Sequence, residues 1–161
     1  MKVLGIISDK LHFYITRIAV GILGVMSVVM ITQVFCRYVL NSSLSWSEEL
    51  SRYCFIWFNC LGAMVLSKEV GHARISIIDA LFKTETSRRV YWVILDVVMI
   101  AASAVLLVTG IKVTLSVGAQ LTPALRIPKS AVYIAAPVAA VGMIIHLLNH
   151  LLHLLTAKKG E

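Results

Sequence analysis

Three groups of residues could carry chemistry by their type and spacing. Glu48, Glu49 and Arg52 stand together shortly after Arg37, and paired carboxylates can exchange protons as general acid and base. His146, His150 and His153 fall at i, i+4 and i+7, which puts three imidazoles on one side of a helix, as for haem or a metal. Cys36, Cys54 and Cys60 would supply thiols for redox work. Each group lacks a requirement of its chemistry. No nucleophile, metal cluster or Gly-rich loop accompanies the carboxylates. Haem in a helix bundle takes its histidines from facing helices, and His12 and His72 fall outside the expected spans. Thiol exchange needs accessible pairs, often as Cys-x-x-Cys, and that spacing is absent. The histidines suit a membrane interface and the cysteines suit buried free thiols. No catalytic residue, cofactor or metal is expected, and the chain reads as a non-enzyme.

Composition explains why these groups look incomplete. Apolar residues make up 59% of the 161 residues and charged residues 14%, whereas a soluble domain carries about 25% charged residues. The mean hydropathy is +0.88. A soluble domain of this size exposes too much of its surface to hide so much apolar area. The net charge of +7 then points to basic loops beside a membrane, with no nucleic acid among the partners.

Charges mark out the elements that must position these side chains. Nineteen uncharged residues run from Ile18 to Cys36. Only Asp96 is charged between Arg89 and Lys112, and no Asp, Glu, Lys or Arg lies between Lys129 and Lys158. Each stretch is long enough to cross a bilayer, which takes about 20 residues. The second stretch, Tyr53 to Ser67, has only fifteen uncharged residues and must begin earlier. Ser45-Trp46-Ser47-Glu48 has the S-x-x-E form of a capping box, and Trp46 to Lys68 gives twenty-three residues. The fold expected is an all-α integral membrane protein, one membrane domain over 1–161. Its four transmembrane helices lie at about 14–36, 46–68, 90–112 and 130–156. Pro137 should kink the last of these.

The loops set the orientation. Ten Lys and Arg lie on the side of the two termini and the middle loop, and five on the other, so both termini are expected on the cytoplasmic side. The basic start followed by an apolar run raises a signal peptide. The run is too long and lacks an Ala-x-Ala-like site, so an uncleaved first span is expected. In the middle loop, about 72–83, His72, Ser76, Asp79 and Lys83 share one helical face, and Ile75, Ile78, Leu81 and Phe82 share the other. That predicts a short amphipathic helix in the interface, as a plain connector or something more. In the periplasmic loop, about 113–129, Leu121, Leu125 and Ile127 are apolar beside Arg126 and Lys129. They either dip among lipid headgroups or meet another protein.

Two pairings follow from depth. Asp96 lies about 10 Å into the third span, in the same leaflet as Arg17, and an Arg17–Asp96 ion pair is expected unless each snorkels separately. Arg37, Glu48 and Glu49 share the opposite leaflet. On the second span Glu48, Arg52, Asn59, Gly62 and Ala63 form a polar and small-residue stripe, of the kind that faces another helix rather than lipid.

The run Arg37-Tyr38-Val39-Leu40-Asn41-Ser42-Ser43-Leu44-Ser45-Trp46-Ser47-Glu48-Glu49-Leu50 leads to Trp57, then Leu61-Gly62-Ala63, then His72-Ala73-Arg74-Ile75-Ser76. A later run, Leu125-Arg126-Ile127-Pro128-Lys129-Ser130-Ala131-Val132-Tyr133, precedes Pro137. In this order the motifs resemble the small membrane subunit, Q-type or DctQ-like, of tripartite ATP-independent periplasmic (TRAP) transporters, over roughly residues 11 to 155. Ser76 stands where that family often has an acid, with Asp79 following. The resemblance implies a non-catalytic subunit that braces a large transport subunit and helps dock a periplasmic substrate-binding protein. The transporter would use sodium to take up an organic acid such as a dicarboxylate or sialic acid. Packing against the large subunit is then expected of Arg37, Trp46, Glu48, Glu49, Arg52 and Asn59, and docking of Arg126 and Lys129. Two other readings are a homo-oligomeric channel or small transporter using Asp96, and a redox protein using the histidines.

Overall fold

The structure is a computed structural model that describes residues 2–42, 44–69 and 84–156. The amphipathic segment expected at 72–83 lies outside the described residues. Among the described residues five helices follow in order: α1 Lys2–Tyr38, α2 Ser45–Glu69, α3 Glu85–Val117, α4 Ser130–Tyr133 and α5 Ala135–Thr156. Four stretches of the described residues are long and apolar enough to cross a membrane, α4 and α5 counting together as one. No strand occurs among the described residues; Leu121 and Pro128 form a single antiparallel bridge.

α1 begins well before residue 14, and its inward face explains why. Ser8, Ile15 and Ala19 are buried, with Leu11 and Ile22 partly covered. That i, i+3, i+7, i+11 stripe extends the packed face to the N-terminal side of the uncharged run. Against it α2 sets Leu61, Met64, Trp57 and Phe58. The helices pack in the spatial order α1, α2, α5, α3, with a lesser contact between α1 and α5.

α5 is the central helix. In its apolar stretch 44% of residues are buried, against 6% to 17% in the other three. Small residues allow this, because they let helix backbones approach closely. Ala135, Ala139 and Ala140 are fully covered. A Cβ on Gly142 would run into the Met64 side chain of α2. A Cβ on Gly110 of α3 would come within 2.9 Å of Pro137 Cδ. Pro137 does interrupt the last span, but at Ile134, between α4 and α5. Proline offers no N–H to the carbonyl four residues earlier and its ring crowds that carbonyl, which belongs to Tyr133, the last residue of α4.

Candidate functional site

The packing gathers the end of α1, the start of α2 and the α3–α4 loop at one end of the bundle. The loop is a tight reversal and not an open connector. Thr122 N–H donates to the Ile127 carbonyl at 2.9 Å, and Lys129 N–H to the Gln120 carbonyl at 2.9 Å. Arg126 N–H donates to the Thr122 carbonyl at 3.2 Å. Thr122 is buried, and its Oγ1 accepts from Ile127 N–H at 3.1 Å. Arg126 sits at a left-handed φ of 52°, which costs a non-glycine residue energy unless its surroundings hold it. Its side chain is exposed, as are Leu121 and Ile127.

Glu49 holds this loop from α2. Its Oε2 accepts the Ala124 N–H at 2.7 Å and the Leu125 N–H at 3.2 Å, while Oε1 accepts the Tyr53 hydroxyl. Hydrogen bonds from amides to a carboxylate are about twice as strong as neutral ones. One turn further down, Trp57 Nε1–H donates to the Ala131 carbonyl at 3.1 Å and ties α2 to the start of the last span. Lys129 Nζ donates to Gln120 Oε1 at 2.9 Å, across the base of the loop. The lysine expected to dock therefore also braces the loop that carries it.

The other residues expected to meet a large subunit are distributed differently. Arg37, Trp46, Glu48, Arg52 and Asn59 are exposed. Asn59 Nδ2 donates to the Phe55 carbonyl one turn earlier. Glu48 accepts from Gln33 Nε2 at 3.2 Å, joining α2 to α1. The expected reciprocal cap is replaced by a local one. Ser47, buried, donates through its backbone N–H at 3.2 Å and its Oγ at 2.7 Å to the Leu44 carbonyl.

At the opposite end of the bundle the expected Arg17–Asp96 pair is replaced. Asp96 is buried, and its Oδ2 accepts from His150 Nδ1 at 2.7 Å. The Arg17 guanidinium lies 3.8 Å from the centre of the Phe13 ring on its own helix, a cation–π contact. The cause is helix order: α1 packs mainly on α2, whereas α3 packs on α5. Ser8 Oγ and His146 Nδ1 share a hydrogen bond of 2.7 Å between α1 and α5. Lys68 Nζ donates to Asp9 Oδ1 at 2.7 Å between α2 and α1. Sequence reasoning missed His146 and His150 as partners of other spans. Depth was the available signal: Asp96 and His150 lie at similar distances from the basic residues Arg89 and Lys158.

The sequence profile described as tripartite ATP-independent periplasmic transporters, DctQ component, matches residues 26–157. The chain belongs to this family. Relatives of the DctQ chain agree. Two proteins of Haemophilus influenzae are assigned as TRAP transporter small permeases. One is 28% identical over 118 residues, covering 71% of each chain. The other is 38% identical over 61 residues, and the match spans 38% of each chain. An isethionate TRAP transporter permease protein, DctMQ, of Oleidesulfovibrio alaskensis is 31% identical over 109 residues. There the match takes in 66% of this chain but 17% of the relative. Membership of the DctQ family and four apolar helices make the chain a multi-pass membrane component of a TRAP transporter.

Proposed function

We propose that this chain is the small, non-catalytic permease subunit of a TRAP transporter in a bacterial inner membrane, with both termini cytoplasmic. It braces a large transport subunit and offers the 118–129 loop to a periplasmic substrate-binding protein. The transporter uses sodium to take up an organic acid, such as a dicarboxylate or sialic acid. The observation that carries this reading is the DctMQ relative, in which a stretch similar to this chain forms 17% of a much larger permease.

The surface supports the same division of labour. Arg37, Trp46, Glu48, Arg52 and Asn59 are exposed at or near the loop end of α1 and α2. An amide and a guanidinium on the outside of a span are costly against lipid and are satisfied by a polar partner helix. Glu49, by contrast, turns to the loop, where it accepts the Ala124 and Leu125 amides. Arg126, with Leu121 and Ile127 beside it, offers a cation ringed by apolar side chains, and Lys129 adds a second charge.

A tagged copy purified gently from its native membrane should bring down a larger polytopic protein in equal amount, identified by mass spectrometry. The chain alone, as a self-oligomer, would refute the subunit reading. Arg126→Glu should lower uptake while that membrane complex still assembles; normal uptake would remove the docking role.

A further inference from the structure

We infer that Glu49 is a positioning residue for docking: it holds the 120–129 loop in one shape before any partner arrives, so that Arg126 is presented with Leu121 and Ile127 as a rigid surface. The inference rests on the proposed docking role of this loop. The complementary partner surface carries a carboxylate among apolar side chains.

The argument starts from the backbone. Pro123, Ala124 and Leu125 turn the chain too tightly for the amides of Ala124 and Leu125 to pair within the loop, and both point toward α2. A single oxygen of Glu49 takes both, at 2.7 Å and 3.2 Å. Its other oxygen is fixed by the Tyr53 hydroxyl on the next turn of the same helix, so the carboxylate itself cannot wander. The loop is thereby referenced to a rigid span. From the other side, buried Thr122 closes the ring through Ile127 and Arg126. Between the two clamps Arg126 keeps its left-handed backbone, a conformation that persists only where neighbours determine it. A surface already in its bound shape avoids the ordering cost of association. A carboxylate at this place therefore affects docking without touching the partner.

The test uses the assembled membrane complex in nanodiscs and the transporter's own periplasmic binding protein as the soluble probe. Glu49→Ala should weaken binding about tenfold, a change equivalent to about 1.4 kcal/mol, with assembly unchanged. Glu49→Gln, whose carbonyl can still accept both amides, should stay within about threefold of the unmodified complex. Hydrogen exchange at the Ala124 and Leu125 amides should quicken in Glu49→Ala, with exchange in α2 unchanged. Thr122→Val, which removes a hydroxyl that bonds both the Ile127 N–H and the Glu49 carboxylate, should weaken binding in the same direction and serves if Glu49→Ala fails to assemble. The double variant Glu49→Ala with Arg126→Ala should lose less than the product of the single losses, because one acts through the other. Unchanged binding in Glu49→Ala or Thr122→Val beside a weakened Arg126→Glu overturns the inference and leaves the docking reading intact. Unchanged binding in Arg126→Glu overturns the docking reading itself.

Discussion

The two ends of the bundle use polar side chains in opposite ways. At one end, side chains bond to side chains across helices: Asp96 to His150, Ser8 to His146, Asp9 to Lys68. Two of these pairs involve buried partners, and each joins a different pair of spans. At the other end, besides the side-chain bonds Gln33–Glu48, Tyr53–Glu49 and Lys129–Gln120, the contacts that hold the loop and the start of the last span run from side chain to backbone: Glu49 to Ala124 and Leu125, Trp57 to Ala131. The first arrangement fixes helices relative to one another, and at Asp96 and Ser8 it does so where water has little access. The second fixes a segment that has no helix to satisfy its amides, and leaves its side chains outward. One end is a fastening and the other is a mount.

The comparison can be broken most severely at the fastening. His150→Leu leaves the Asp96 carboxylate buried with its partner gone and should cost about 3–5 kcal/mol, read as the unfolding midpoint in detergent. Replacing both, Asp96→Leu with His150→Leu, should recover most of that loss, since apolar pairs often match buried ionic ones. A double variant as unstable as the single one would show that the pair does more than hold α3 to α5.

A second test lies between the ends. Gly142→Leu forces a side chain into Met64 where α2 crosses α5 and should cost about 1–3 kcal/mol through overpacking. Because α5 touches every other span, both ends should loosen together in hydrogen exchange. Loosening confined to one end would mean that they fold independently.

Smaller effects separate the two uses of polarity. Trp57→Phe keeps the ring and loses the bond to Ala131, so it should cost about 1 kcal/mol, with exchange quickened around residues 130–134 only. Lys68→Met should cost less than about 1 kcal/mol, because the Asp9 side chain is 73% exposed. Added salt should reduce the Lys68 contribution and leave that of Trp57 unchanged.

Much of this molecule is legible in the order of its residues. The apolar runs between Arg17 and Arg37, Arg89 and Lys112, and Lys129 and Lys158 declare membrane helices, because a bilayer tolerates few charges over such lengths. The loop residues Leu121, Leu125 and Ile127 are too apolar for plain solvent, and that oddity marked the segment before any fold was known. Pro137 announced an interruption, and its missing N–H placed it at Ile134. The polar contacts were not legible. Arg17 and Asp96 share a leaflet, and depth alone made them partners. The structure instead gives Asp96 to a histidine that looked like an interfacial ring. By sequence Glu49 reads like its neighbour Glu48, a carboxylate for packing against a large subunit, yet it reaches an amide 75 residues away.

The sequence by itself determined how many times the chain can cross, the family to which its motifs point, and which segments are exceptional. Those properties depend on local composition, on length against the thickness of a bilayer, and on charge at the ends of each run. Only the tertiary structure decided that α5 lies at the centre, that α1 and α3 are kept apart, and that Glu49 serves the loop while Glu48 serves α1. Those depend on which helix faces meet. In a membrane every span is apolar, so hydropathy cannot rank one neighbour above another. The choice falls to close fit at small residues such as Gly110, Ala139 and Gly142, and to a few polar atoms whose partners lie far along the chain.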